Sequence, residues 1–147
     1  MKATLFRWGA PETEHAKRIR FQVFCDEQQV PVEMELDEID AIATHVLVLS
    51  EAGEPVATGR LFPDLHDPSE GRIGRMAVLR EARGLGCGAH MLRTLIVEGQ
   101  RAGFRGFVLD SQVHAMPFYE RQGFIAEGPE HMDAGIPHRE MRRPAAD

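Results

Sequence analysis

The stretch ARGLGCGAHMLRTLIVEG, Ala82 to Gly99, constrains the fold of this chain more than any other. Gly84, Gly86 and Gly88 alternate and run straight into Met91, Leu92, Leu95, Ile96 and Gly99, the spacing of an amphipathic helix. Ahead of the glycines, RIGRMAVL (Arg72–Leu79) predicts a strand; beyond them, past Gly103 as a helix stop, FRGFVLD (Phe104–Asp110) predicts another. The chain therefore carries a β-α-β unit with a glycine-rich first turn. Such a turn aims successive backbone N–H groups, and the positive end of a helix, at an anion such as a pyrophosphate.

Three phosphate-binding patterns compete for RGLGCGA. A Walker A loop fails, because no Lys-Ser or Lys-Thr follows the last glycine. GLGCGA formally matches the dinucleotide fingerprint G-x-G-x-x-G/A, with Asp110 near the position of a ribose-binding acid. That fingerprint wants its first glycine at the strand end, whereas REAR separates Leu79 from Gly84. It also needs further β-α-β units, and only 37 residues follow Asp110. The third pattern, Arg83 with the glycines as R-x-x-G-x-G between strand and helix, meets neither objection.

The rest of the chain predicts a mostly antiparallel first half. ATLFRW (Ala3–Trp8) reads as a strand, and a helix from Thr13, as its cap, places Ala16, Ile19, Val23 and Phe24 on one face. QVPVEMELDEID reads as an extended acidic loop. THVLVLS and PVATGRLFP form a hairpin turning at Gly53. HAMPFYERQ predicts a short helix, and GFIAEG and PHREMRR two closing strands. The expected class is α/β: a mixed, mostly antiparallel sheet flanked by helices, as one domain over residues 1–147. A formal charge of −6 disfavours broad nucleic-acid binding. No apolar run is long enough to span a bilayer, and MKATLFRWGAPE lacks a signal-peptide core, so a cytoplasmic protein off the membrane is expected. The histidines show no H-x-x-x-H or H-E-x-x-H spacing, so no metal is expected.

A second stretch joins the glycine loop. In LDSQVHAMPFYERQGF a polar residue, Gln112, precedes a short helix ending Phe118-Tyr119 with Gly123-Phe124 beyond. Together with R-x-x-G-x-G this resembles the GNAT N-acetyltransferase superfamily. RFQVFCDEQQVPVEMELDEIDAIATH and DAGIPHREM extend the likeness over nearly the whole chain, toward the ElaA/YjcF-like subgroup.

The resemblance implies direct acetyl transfer from acetyl-CoA to an acceptor amine. It implies that Met76, Ala77 and Val78 pair with the pantetheine arm like an added strand. Arg83, Gly84, Leu85, Gly86, Cys87, Gly88 and Ala89 would hold the pyrophosphate, Gln112 would contact pantetheine, and Phe118 would pack against the cofactor. Tyr119 becomes the candidate acid for the departing thiolate. For the acceptor side the candidates are Glu27, Glu33, Glu35, Asp37, His45 and His138. The base remains open among His45, His114, His138 and the carboxylates. Asp26 to Asp40 holds seven carboxylates and no lysine or arginine, which by charge alone reads as a solvated loop; the resemblance implies that this segment borders the acceptor side, where it is expected to steer a cationic amine. A homodimer stands as an assembly to test. Two other functions stay open here: a non-catalytic acyl-CoA-binding module and a nicotinamide-dependent oxidoreductase.

Overall fold

The computed structural model describes residues 1–146, without the side chains of Glu33 and Met34. Its elements are β1 (Lys2–Arg7), α1 (Glu12–Arg20), α2 (Val32–Glu35), β2 (Thr44–Leu49), β3 (Pro55–Pro63), β4 (Gly71–Val78), α3 (Cys87–Ala102), β5 (Gly106–Gln112), α4 (Met116–Arg121), β6 (Ile125–Asp133) and β7 (Ile136–Pro144). The strands form one sheet in the order β1-β2-β3-β4-β5-β7-β6. Among the described residues only β4–β5 is a parallel pair, as the single β-α-β crossover requires.

Helix α3 covers one face of the sheet. Its Met91, Leu92, Leu95 and Ile96 are buried against Val46, Val48, Leu61, Ile73, Phe107 and Leu109. Gly99 lies in that stripe because Phe107 needs the space: a Cβ there would come 2.2 Å from Phe107 Cε1. Gly103 ends α3 in the left-handed conformation at φ +91°. Helix α1 covers the other face, where Ala16, Ile19 and Val23 pack on Phe6, Leu47 and Ala77.

Several boundaries differ from the sequence reading. Thr13 does not cap α1; Pro11 holds that position, and the Thr13 hydroxyl accepts from the Gly9 amide at 2.9 Å. Beyond Arg20 the helix loosens into a π-helical run, Phe21–Glu27. The acidic segment after it is not extended. It folds into α2 and a 3₁₀ turn, Glu38–Ala41, capped reciprocally by Asp37 and Asp40. Strand β6 outruns GFIAEG because it is an edge strand whose residues are nearly all exposed, so no alternation marks its end.

The sheet is interrupted at its centre. Between the pairs Thr58↔Ala77 and Arg60↔Gly74, β3 contributes Gly59 alone against Arg75 and Met76 of β4. This bulge carries Arg75 at φ +50°. Gly59 leaves room for Met76, whose Cγ would stand 3.2 Å from a Cβ at that position. Strands β4 and β5 pair over three positions, Gly71↔Phe107, Arg72↔Val108 and Ile73↔Leu109, and then diverge.

Candidate active site

The divergence of β4 and β5 opens two chambers that share Gln28, Met76 and Tyr119 in their walls. The first, about 540 Å³, is bounded by Met76, Ala77 and Val78 of β4, the loop residues Arg83, Gly84 and Gly86, and Cys87, Gly88 and Ala89 at the start of α3. Phe118 completes the wall. Gly84 and Gly86 adopt φ +82° and +86°, conformations that L side chains resist, and nothing lies within 4 Å of where their Cβ atoms would sit. The first-turn amides of α3 have no intrahelical acceptors, and no side chain among the described residues caps them. Leu85 is 67 % exposed and lies outside the wall. Cys87 is buried at the helix start.

Arg83 is already engaged. Its Nε donates to the Val78 carbonyl at 2.9 Å, and an Nη donates to Glu27 at 2.9 Å. Arg80 reaches the same carboxylate at 3.3 Å. The Arg83 hydrogen bond holds the Glu27 carboxyl below its usual range. Glu27, expected on the acceptor side, therefore belongs to the first chamber and latches its glycine loop to the end of the π-helical run.

The second chamber, about 390 Å³, lies on the far side of Met76 and takes in Phe24, Arg72, Asp110, Asp133 and His138. Gln112 lines this chamber rather than the first. Its amide donates to Gln28 Oε1 at 2.8 Å, and its Oε1 accepts from His114 Nε2 at 2.7 Å. Gln28, which the sequence reading passed over, thereby becomes part of the divide between the chambers. Tyr119 of α4 stands at that divide, half-buried, with its hydroxyl directed at Met76 Sδ at 3.8 Å. Burial pushes its phenol up to about 12.

The acidic segment requires a correction. Glu35, Asp37 and Asp40 are not free to steer an amine, because three arginines distant in sequence neutralise them, whereas Asp26 and Glu38 are exposed. Arg20, 1 % exposed, bonds Glu35 at 2.6 Å and Asp40 at 2.7 Å. Arg60 bonds Asp37 at 2.7 Å and Asp40 at 2.8 Å. Arg75 lies 3.2 Å from Asp37 and 3.7 Å from Glu35. Three cations against Glu35, Asp37 and Asp40 leave no net charge. Burial would raise Asp37 and Asp40, but hydrogen bonds from Arg60 and Arg20 hold both below their usual values. At Glu35, 2 % exposed, burial prevails over Arg20 and pushes the carboxyl up. The side chain of Glu33 lies outside the described residues.

His45 is also reassigned. It is 1 % exposed, between Phe6 and Trp8 at ring distances of 5.2 and 4.7 Å, and its Nε2 donates to the Asp40 carbonyl at 3.0 Å. Burial lowers its pKa, and it lines neither chamber. His138 does line the second chamber. There the sheet register brings it beside Asp110 and Asp133, a grouping that three separate strands supply and no sequence spacing reveals.

Comparison with known proteins agrees with this geometry. The family description "Acetyltransferase (GNAT) domain" matches residues 11–144. The chain is similar to the "Uncharacterized N-acetyltransferase YjcF" of Bacillus subtilis (strain 168), 33 % identical over 144 residues, covering 97 % of this chain and 99 % of the relative. Its fold is similar to an acyl-CoA N-acyltransferase of Pseudomonas aeruginosa, with TM-score 0.85, 26 % identity, and 97 % and 98 % of the two chains covered. It also resembles the fold of Escherichia coli ElaA, with TM-score 0.84, 24 % identity, and 97 % and 98 % covered. With the loop, the split sheet and these likenesses together, the chain belongs to the GNAT family of acetyltransferases.

Proposed function

We propose that this protein transfers an acetyl group directly from acetyl-CoA to a primary amine. The observation that carries the reading is the meeting of two chambers at Gln28, Met76 and Tyr119, beside β4 backbone whose pairing with β5 ends at Ile73. The residues present fit acetyl-CoA. Open space over Gly84 and Gly86 lets a pyrophosphate approach the loop backbone, and the first-turn amides of α3 can donate to it. Past Ile73, β4 has no partner on its β5 side, so Met76, Ala77 and Val78 can pair with an amide-bearing arm as with an added strand.

Acetyl-CoA supplies an activated acyl group; the protein supplies position and protons. An alkylammonium loses a proton near pH ~10.4 and is no nucleophile before then, so the acceptor side must remove one. On the donor side, a CoA thiol ionises near ~8.5, well below the Tyr119 phenol. Tyr119 therefore remains protonated throughout the physiological range and serves as a hydrogen-bond donor toward departing sulfur rather than surrendering its proton outright. Met76 holds that hydroxyl at the divide between the chambers.

The test is incubation of the protein with labelled acetyl-CoA and a panel of amines, alongside calorimetric titration with CoA and with NAD. CoA binding with label transfer supports the reading. CoA binding without transfer to any amine leaves an acyl-CoA-binding module, and binding of NAD in place of CoA overturns both.

No helix among the described residues is long and apolar enough to cross a membrane.

A further inference from the structure

The acceptor-side chamber has an acidic pole, but not the one the sequence suggested. Asp110 ends in β5, Asp133 in β6 and His138 in β7, and all three line the chamber. One carboxylate oxygen of each aspartate and one ring nitrogen of His138 lie within 4.8 Å of one another. Neither carboxylate forms a hydrogen bond or ion pair with His138.

Charge balance distinguishes this group from the acidic segment. Of the arginines in the wall, Arg72 is committed to Asp64 at 2.7 Å and to Glu140, and Arg60 to Asp37 and Asp40. Among the described residues Asp110 has only His131, whose Nε2 stands 3.0 Å from Oδ2. Asp133 has no hydrogen-bond or ion-pair partner among the described residues. Two carboxylates thus face the chamber without an arginine or lysine to offset them.

His138 adds the second observation. It is only 9 % exposed, and its Nδ1 lies 2.7 Å from the Ile136 carbonyl. A carbonyl only accepts, so Nδ1 carries a proton, and in the neutral ring Nε2 presents a lone pair. No described residue donates to that nitrogen. The stacked ring of His131, 6.1 Å away, holds the imidazole in place.

The spacing favours one kind of cation. A primary ammonium donating three hydrogen bonds of about 2.8 Å along tetrahedral directions separates its acceptors by about 4.6 Å. Tetrahedral zinc, with bonds of about 2.0–2.2 Å, would draw them to roughly 3.5 Å.

We propose that Asp110, Asp133 and Nε2 of His138 bind the ammonium of the acceptor substrate, and that His138 removes its proton. The substrate class is then a primary alkylammonium. One proton passes from the ammonium nitrogen to Nε2, and the amine turns the freed lone pair from His138 to the thioester; the N–C bond forms as the C–S bond breaks, the second nitrogen proton goes to the departing CoA sulfur, and the imidazolium returns its proton to water. The inference rests on the acetyltransferase reading and names the acceptor site within it.

The probe is n-butylammonium, titrated into the full-length chain while the His138 ring nitrogens are followed by NMR. Butyltrimethylammonium, which has no N–H, and Zn²⁺ are titrated in parallel, and acetyl-CoA binding is measured on every sample. The expected result is a saturable shift at His138 with butylammonium but not with its trimethylated analogue. Asp133→Asn and Asp110→Asn should each weaken that binding about tenfold or more, the loss of a charged hydrogen bond, and leave acetyl-CoA affinity unchanged. His138→Gln should weaken butylammonium while leaving acetyl-CoA affinity intact. The proposal is overturned if butylammonium leaves His138 unperturbed, if the trimethylated ion acts equally, or if Zn²⁺ binds and excludes butylammonium. A wild-type protein that binds acetyl-CoA with His138 silent refutes this site alone. A protein that binds no acetyl-CoA refutes the functional reading instead.

Discussion

Replacing Arg20 with methionine removes the hub that ties the acidic segment to α1. The guanidinium bonds Glu35 at 2.6 Å, the Glu35 carbonyl at 2.6 Å and Asp40 at 2.7 Å, all with almost no access to water. Asp40 keeps Arg60 at 2.8 Å, but Glu35 is left with Arg75 at 3.7 Å. Removing one partner of a buried pair strands the other charge and costs about 3–5 kcal/mol. That is a large part of the roughly 5–15 kcal/mol that holds a typical domain together, and corresponds to a fall in Tm of roughly 6–20 °C. The cost must also depend on pH. Burial already raises Glu35, and without Arg20 it rises further. A carboxyl raised on folding contributes stability below its unfolded pKa and loses it as pH rises through the folded value. Arg20→Met should therefore lose less at pH 5 than at pH 8, and Arg20→Met/Glu35→Leu should recover part of the loss. Urea melts of the three proteins at both pH values provide the measurement. A loss below about 1 kcal/mol, or one independent of pH, would refute the claim that these charges are structural.

Gly86→Val adds a branched side chain at φ +86° and fills space the loop leaves open, so CoA affinity in calorimetry should fall at least tenfold, about 1.4 kcal/mol, in a folded protein. Tyr119→Phe keeps the ring and its edge contacts with Phe118 and Phe124, so kcat should fall while CoA affinity holds. Because a phenol near 12 donates a hydrogen bond rather than a whole proton, the fall should lie nearer the lower end of the roughly 10²–10⁴-fold range. Glu27→Gln frees Arg80 and Arg83 for phosphate; tighter CoA binding that weakens with added salt is the expected calorimetric result. Gly99→Ala drives a methyl into Phe107 and should cost about 1–3 kcal/mol in chemical denaturation, with Phe107→Leu on the same background restoring part of it.

What the sequence disclosed follows from how local each signal is. Alternation in THVLVLS and PVATGRLFP, the stripe of α3 and the stop at Gly103 are each written within a dozen residues, and the structure contains all of them. The glycine loop was legible for the same reason. The acidic segment was not: seven carboxylates without a neighbouring cation look solvated until the fold brings Arg20, Arg60 and Arg75 against three of them, Glu35, Asp37 and Asp40. His45 misleads similarly, because its burial under Trp8 depends on β1 pairing with β2. The grouping of Asp110, Asp133 and His138 depends on the register among β5, β6 and β7, which no single-chain pattern encodes.

The three-position seam between β4 and β5 affects how long such a protein lasts. Strands β1–β4 and strands β5–β7 are two panels fastened at one end, and an acetyl-CoA arm lying in the gap would bridge them. Binding confined to the closed form adds RT ln(1 + [L]/Kd), about 2.7 kcal/mol when the ligand is a hundredfold above its Kd. Proteolysis of the opened form would slow by the same factor, roughly a hundred. The lifetime of the molecule would then follow the supply of its own acyl donor, and a cell depleted of that thioester would clear the protein sooner than one with plenty.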